Sequence, residues 1–154
     1  MANQQSNDVD DEFRSILEGL RTTLPGVQVL FAFLLILPLQ SAFAEIGDMG
    51  QIAYYVAFFG SAMASVLLIA PSAHQRLRAP FSGVGRRSRR HLRVTISMTI
   101  AGTIIFAFAL AAAVLLISTL VLPTDSIAIA ATAAVAAVIA WSWFYVPLVT
   151  FQRS

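Results

Sequence analysis

The sequence predicts an all-α protein: an integral membrane four-helix bundle preceded by an interfacial amphipathic helix. Three observations carry that prediction. Four long apolar runs, about 24–44, 52–70, 94–122 and 127–149, stand in a chain of 154 residues that is 58 % hydrophobic with mean hydropathy +0.77. Each reaches about the 20 residues an α-helix needs to cross roughly 30 Å of hydrocarbon. All ten basic residues are arginine, and crossing the membrane at every run brings all ten to one side. The other side receives Glu45, Asp48 and Asp125 and no basic residue. Finally, Tyr54, Tyr55, Phe58 and Phe59 open the second run, while Trp141, Trp143, Phe144 and Tyr145 close the fourth. Amphipathic rings collect at both headgroup levels, so these clusters mark opposite faces of one membrane.

Along the chain, residues 1–9 are polar and are expected to be disordered. From 10 to 24, Phe13, Ile16, Leu17, Leu20 and Leu24 follow the i, i+3, i+4, i+7 spacing of an amphipathic helix. Asp8 or Asp10 can cap it, and neighbouring acids suit the positive end of its dipole. Two placements fit this helix. It can lie in the interface with its apolar side in lipid, or fold against the arginine loop with Glu12 and Glu18 toward that charge. Pro25-Gly26 is expected to break the chain there, leaving 25–153 as the four-span domain.

Ala42-Phe43-Ala44 reads like the small-residue site of a secretory signal, but the preceding tail is acidic and too long. An uncleaved first span is expected. Glu45 to Gln51 is a tight connection with Gly47, Asp48 and Gly50. After the second span, the loop 71–93 carries seven arginines and no acid. The third run is the longest and is expected to tilt or to extend into the interface. Leu122 to Ser126 is a turn with Asp125 or Ser126 as cap, making the last two helices an antiparallel hairpin.

Basic residues near spans are retained on the cytoplasmic side. The reading is a multi-pass protein of the cell (inner, cytoplasmic) membrane with both termini cytoplasmic. Three loops and four spans leave no room for a soluble catalytic domain, and an enzyme is not expected. The chain has no cysteine, which excludes disulfides, thiol nucleophiles and Cys metal sites. His74 and His91 stand far apart with no third ligand nearby, and no nucleotide, zinc-hydrolase or triad signature is present, so no metal or cofactor is expected.

Within the four runs there is no Asp, Glu, Lys, Arg or His. Proton- and cation-coupled carriers keep such groups at membrane depth, so a coupled mechanism built on this chain alone is disfavoured. The deepest polar groups are Gln28, Gln40, Ser61, Ser65, Thr99, Thr103 and Thr132. Small residues form stripes: Ala57, Ser61 and Ser65 with Gly60 and Ala64; Thr95, Thr99, Gly102 and Thr103; and Ala130, Ala133, Ala134, Ala137 and Ala140. Such stripes let helices approach closely, and their hydroxyls can bond across the contact. Arg86, Arg87, Arg89, Arg90 and Arg93 are candidates for contact with anionic lipid headgroups, worth about 1 kcal/mol per charge near the surface. No aromatic interleaving accompanies them, and nucleic acid is not expected as a partner.

The string Arg21-Thr22-Thr23-Leu24-Pro25-Gly26-Val27-Gln28-Val29-Leu30-Phe31-Ala32-Phe33-Leu34-Leu35 resembles the opening of a family of small bacterial membrane proteins filed as a domain of unknown function. Leu67-Leu68-Ile69-Ala70-Pro71-Ser72-Ala73-His74-Gln75-Arg76 is a second match, and Trp143-Phe144-Tyr145-Val146-Pro147-Leu148 a weaker third. The resemblance implies four spans without an established activity. Some members carry the label sodium:proton antiporter, which this sequence does not support, since no carboxylate sits at membrane depth. The shared strings put Pro25, Gly26, Gln28, Pro71, His74 and Arg76 near the cytoplasmic face, with Gln28, His74 and Arg76 as the candidate polar cluster. The leading functional expectation is an assembly-forming protein or accessory subunit, partnered by itself or by another membrane protein. The alternative is a small homo-oligomeric transporter or channel.

Overall fold

The computed structural model describes residues 2–78 and 89–151, with side chains at 14–74, 77 and 92–149. The elements run α1 (Ala2–Ile36), two 3-10 turns (Leu37–Leu39 and Ser41–Glu45), α2 (Asp48–Arg78), α3 (Arg89–Val121), α4 (Asp125–Ala140), a π turn (Trp141–Tyr145) and α5 (Val146–Phe151). Among the described residues, four helical stretches are long and apolar enough to cross a membrane: Arg14–Leu39, Asp48–His74, Leu92–Val121 and Asp125–Val149. The chain is an all-α, multi-pass membrane protein.

The first helix departs from the sequence reading in two ways. It is already helical at Ala2, where disorder is expected, and it runs through Pro25 without a break. No proline or glycine interrupts residues 2–18, so nothing in that stretch stops the helix from extending backward. Pro25 removes a single amide donor, and a helix continues past that loss where the packing on either side holds it. Leu20 and Val27 flank Pro25 and are both buried in the same core cluster. The amphipathic segment and the first span are thus one rod. Its far end comes early, at Ile36, because Pro38 opens the 3-10 turn.

Pro38 has no N–H to give the carbonyl of Leu34, one helical turn back. That carbonyl instead accepts a bond from the Tyr54 hydroxyl at 3.2 Å. Tyr54 is buried, with Phe43 edge-on at 4.9 Å, whereas Tyr55 faces outward. Of the two tyrosines expected at the interface, only Tyr55 is turned toward the surroundings.

The spans pack as a layered stack. α2 and α3 form the central pair, α1 lies mainly on α2, and α4 lies on α3. A Cβ on Gly60 would touch Ala109, and one on Gly102 would touch Leu67 and Leu68. These pairs ascend α2 as they descend α3, so the two are antiparallel at glycine-level separation. One core cluster joins Leu34, Tyr54, Ala57, Ala113 and Leu116 at one end, and another joins Leu20, Val27, Ala64, Leu68 and Phe106 at the other. Between apolar helices in lipid the gain comes from van der Waals fit, which explains why the closest contacts fall on Gly and Ala.

The small-residue stripes of α2 and α3 are consumed in this packing: Ala57, Ser61, Ala64 and Gly102 are all buried. The stripe of α4 is not. Ala128 and Ile139 are the buried side chains of α4, while Ala130, Ala133, Ala134, Ala137 and Ala140 are exposed. The N-cap of α4 is Thr124, one residue before the expected Asp125 or Ser126, and Asp125 occupies the first turn, where its charge suits the dipole.

Candidate functional site

Charge in the folded chain gathers at two ends. Glu45, Asp48 and Asp125 flank the turns that join α1 to α2 and α3 to α4. Arg14, Arg21, His74 and Arg93 lie at the opposite end, where the first part of α1, the end of α2 and the start of α3 converge.

At that end a groove of about 470 Å³ lies between α1 and α2. Arg14, Glu18 and Arg21 line it together with Leu17, Leu20, Leu24 and Ser72. The i, i+4, i+7 spacing puts the three charges on one face of α1, alternating positive, negative, positive. All three are exposed, and none is held in an ion pair among the described residues. Leu20 is buried at the groove floor and Leu17 and Leu24 are half-buried, so the groove has an apolar base under a charged rim. The signal for it was present in the sequence, in the charges interleaved with the apolar face of 10–24. Ser72 was not legible there, because its place depends on the pairing of α1 with α2.

That pairing also places the sequence-predicted cluster. Phe31 stacks on Phe58 at 5.3 Å and Tyr54 bonds to Leu34, which sets Gln28 at the level of Ser61. His74 lies thirteen residues further along α2, roughly 20 Å at 1.5 Å per residue. Gln28 and His74 therefore do not meet. Gln28 is exposed on α1, His74 is half-buried on α2, and the side chain of Arg76 lies outside the described residues. Gln40 is exposed between the two 3-10 turns. Of the arginines assigned to lipid, Arg86 and Arg87 fall outside the described residues, Arg89 and Arg90 open α3, and Arg93 is exposed beside Ile96, Ser97 and Ile100.

The membrane hydroxyls bond locally. Ser65 bonds to the carbonyl of Ser61 at 2.8 Å, Thr99 to that of Thr95 at 3.0 Å, Thr103 to that of Thr99 at 2.9 Å and Thr132 to that of Ala128 at 2.8 Å. The expected bonds across helices are replaced by bonds one turn back on the same helix, since a carbonyl there is always within reach. The Tyr54 hydroxyl does cross, from α2 to α1. Thr95 Oγ1 is buried with no hydrogen-bond partner among the described residues. Among those residues, no three His, Asp or Glu side chains converge as a metal site.

No curated protein and no solved structure matches the chain. One family profile does, over residues 2–147, so nearly the whole length from the start of α1 to the turn of α5 is shared. By that match the chain belongs to the family of unknown function DUF6328.

Proposed function

We infer that this is a non-enzymatic membrane protein that works by assembling in the bilayer, with a second copy of itself or as the accessory subunit of a larger membrane protein. The observation that carries the reading is the alanine stripe of α4, exposed at Ala130, Ala133, Ala134 and Ala137 while the equivalent surfaces of α2 and α3 are buried. In lipid there is no apolar penalty to drive such a face inward, so a smooth surface is available for close helix contact with another span. A small transporter or channel finds less support, because the span hydroxyls spend their donors on their own helices.

Native mass spectrometry of the chain extracted with its surrounding lipid tests this. A defined complex is expected, either a homo-oligomer or a stoichiometric pair with a second protein. Ala134→Trp puts a bulky ring in the stripe and is expected to weaken that complex by tenfold or more, with α-helical content unchanged. A wild-type chain that stays monomeric throughout would sink the reading.

The same reading puts both termini and the arginine loop in the cytoplasm, at the inner membrane of the cell, with anionic headgroups around Arg86, Arg87, Arg89, Arg90 and Arg93. The absence of native cysteine makes the test simple. In intact cells, a membrane-impermeant maleimide is expected to label Ser126→Cys and to leave Ser88→Cys unlabelled until the membrane is opened. Labelling in the reverse order means the opposite orientation.

A further inference from the structure

We propose that the groove between α1 and α2 is a headgroup site for an ethanolamine phospholipid, with Arg21 on the phosphate and Glu18 on the ammonium. Depth is the first argument. Trp143 stacks on Phe106 at 6.0 Å, and Phe106 shares a core cluster with Leu20 and Val27. The aromatic belt that marks the headgroup level thus lies beside the inner end of the groove. Moving outward along α1 from there, Arg21 comes first and Glu18 about one turn later. A phospholipid presents its groups in that order: phosphate nearest the hydrocarbon, then two methylenes, then the terminal amine.

Chemistry is the second argument. A guanidinium forks onto phosphate oxygens, and a carboxylate accepts from an ammonium that carries N–H donors. A choline headgroup has no such donor. A purely anionic headgroup leaves Glu18 facing like charge. Among the described residues neither arginine nor Glu18 is committed to an ion pair, so all three are available to a ligand. Leu24, on the hydrocarbon side of Arg21, and Leu20 beside it supply an apolar wall for the first part of an acyl chain. The proposal needs only that the chain spans a membrane, and it is independent of whether α4 forms an assembly.

The test is native mass spectrometry of the full chain with matched-chain ethanolamine, choline and glycerol phospholipids, and separately with inorganic phosphate. Wild type is expected to retain the ethanolamine lipid about fivefold better than the choline lipid, the scale of one surface charge contact. Glu18→Gln should bring that ratio close to one, and Arg21→Gln should lower retention of all three lipids about fivefold. On the wild-type chain, the ethanolamine lipid should also slow amide exchange across residues 18–24, and the choline lipid should not. Equal retention of the headgroups, a preference that survives Glu18→Gln, or equal protection by inorganic phosphate alone would each overturn the proposal, the last in favour of a free phosphate site.

Discussion

Gly60→Val is expected to push α2 and α3 apart and to destabilise the fold by about 2 kcal/mol, within the range for overpacked contacts. A Cβ at this position stands 3.0 Å from the Cβ of Ala109 and 3.6 Å from its Cα. The obstacle is therefore α3 itself, since neither atom can swing aside as the end of a long side chain would. Gly102→Val meets the side chain of Leu68 at 2.9 Å. Leu68 is fully buried, its Cγ is met as closely as its Cδ2, and Leu67 Cβ stands at 3.2 Å, so the cost there should be comparable. The measurement is reversible unfolding in mixed micelles, followed by helical signal. Ala109→Gly in the Gly60→Val background should recover much of the loss by returning the missing volume. A double variant no more stable than Gly60→Val would show that the contact is not where the strain lies.

Tyr54→Phe carries the second large effect, a loss of about 1–2 kcal/mol. The ring and its packing on Phe43 survive the change, so the variant isolates the hydroxyl. What it leaves behind is the Leu34 carbonyl, which Pro38 has already deprived of its helical donor. The two residues are thus coupled through one oxygen. Pro38→Ala restores an amide in register with that carbonyl, and Tyr54→Phe should then cost markedly less. A double-mutant cycle reads the coupling directly. Identical costs in both backgrounds would mean the bond contributes nothing to holding α1 on α2.

These two contacts also mark the boundary of what the sequence makes legible. The four spans, their order and the turns between them follow from hydropathy and from Gly, Pro and Asp, because the bilayer imposes length on every segment that crosses it. The separation of Arg from Glu45, Asp48 and Asp125 is likewise a one-dimensional property; among the described side chains, Arg14, Arg21 and Arg93 lie at the end away from those three acids. Which side of a span faces a neighbour is another matter. In an apolar helix both the lipid side and the protein side are hydrophobic, so periodicity carries little information about direction. For that reason Tyr54 and Tyr55 looked equivalent, and the outward turn of the α4 alanines could not be read in advance.

The candidate site shows the same limit from another side. The sequence brings Gln28 and His74 together only if α1 begins its crossing at Leu24 and α2 ends its own near Ala70. The helix pairing sets them apart, because α1 reaches back past Pro25 and α2 continues beyond Pro71 as one unbroken rod. The charges of Arg14, Glu18 and Arg21 were visible all along. Only the arrival of Ser72 and the burial of Leu20 turn them into a groove.

The π turn at Trp141–Tyr145 has a mechanical consequence. Val146 donates to the carbonyl of Trp141, five residues back, and Pro147 follows in the first turn of α5. The extra residue rotates everything after it by roughly 100° relative to an uninterrupted α-helix. Trp141, Trp143 and Tyr145, at i, i+2 and i+4, stand on both sides of the axis, and all three are exposed. A one-sided row of rings would allow a helix to roll and slip; a collar of them pins its depth. α4 has α3 as its main support, so a thicker or thinner bilayer is expected to be met by a tilt of α4 about that collar.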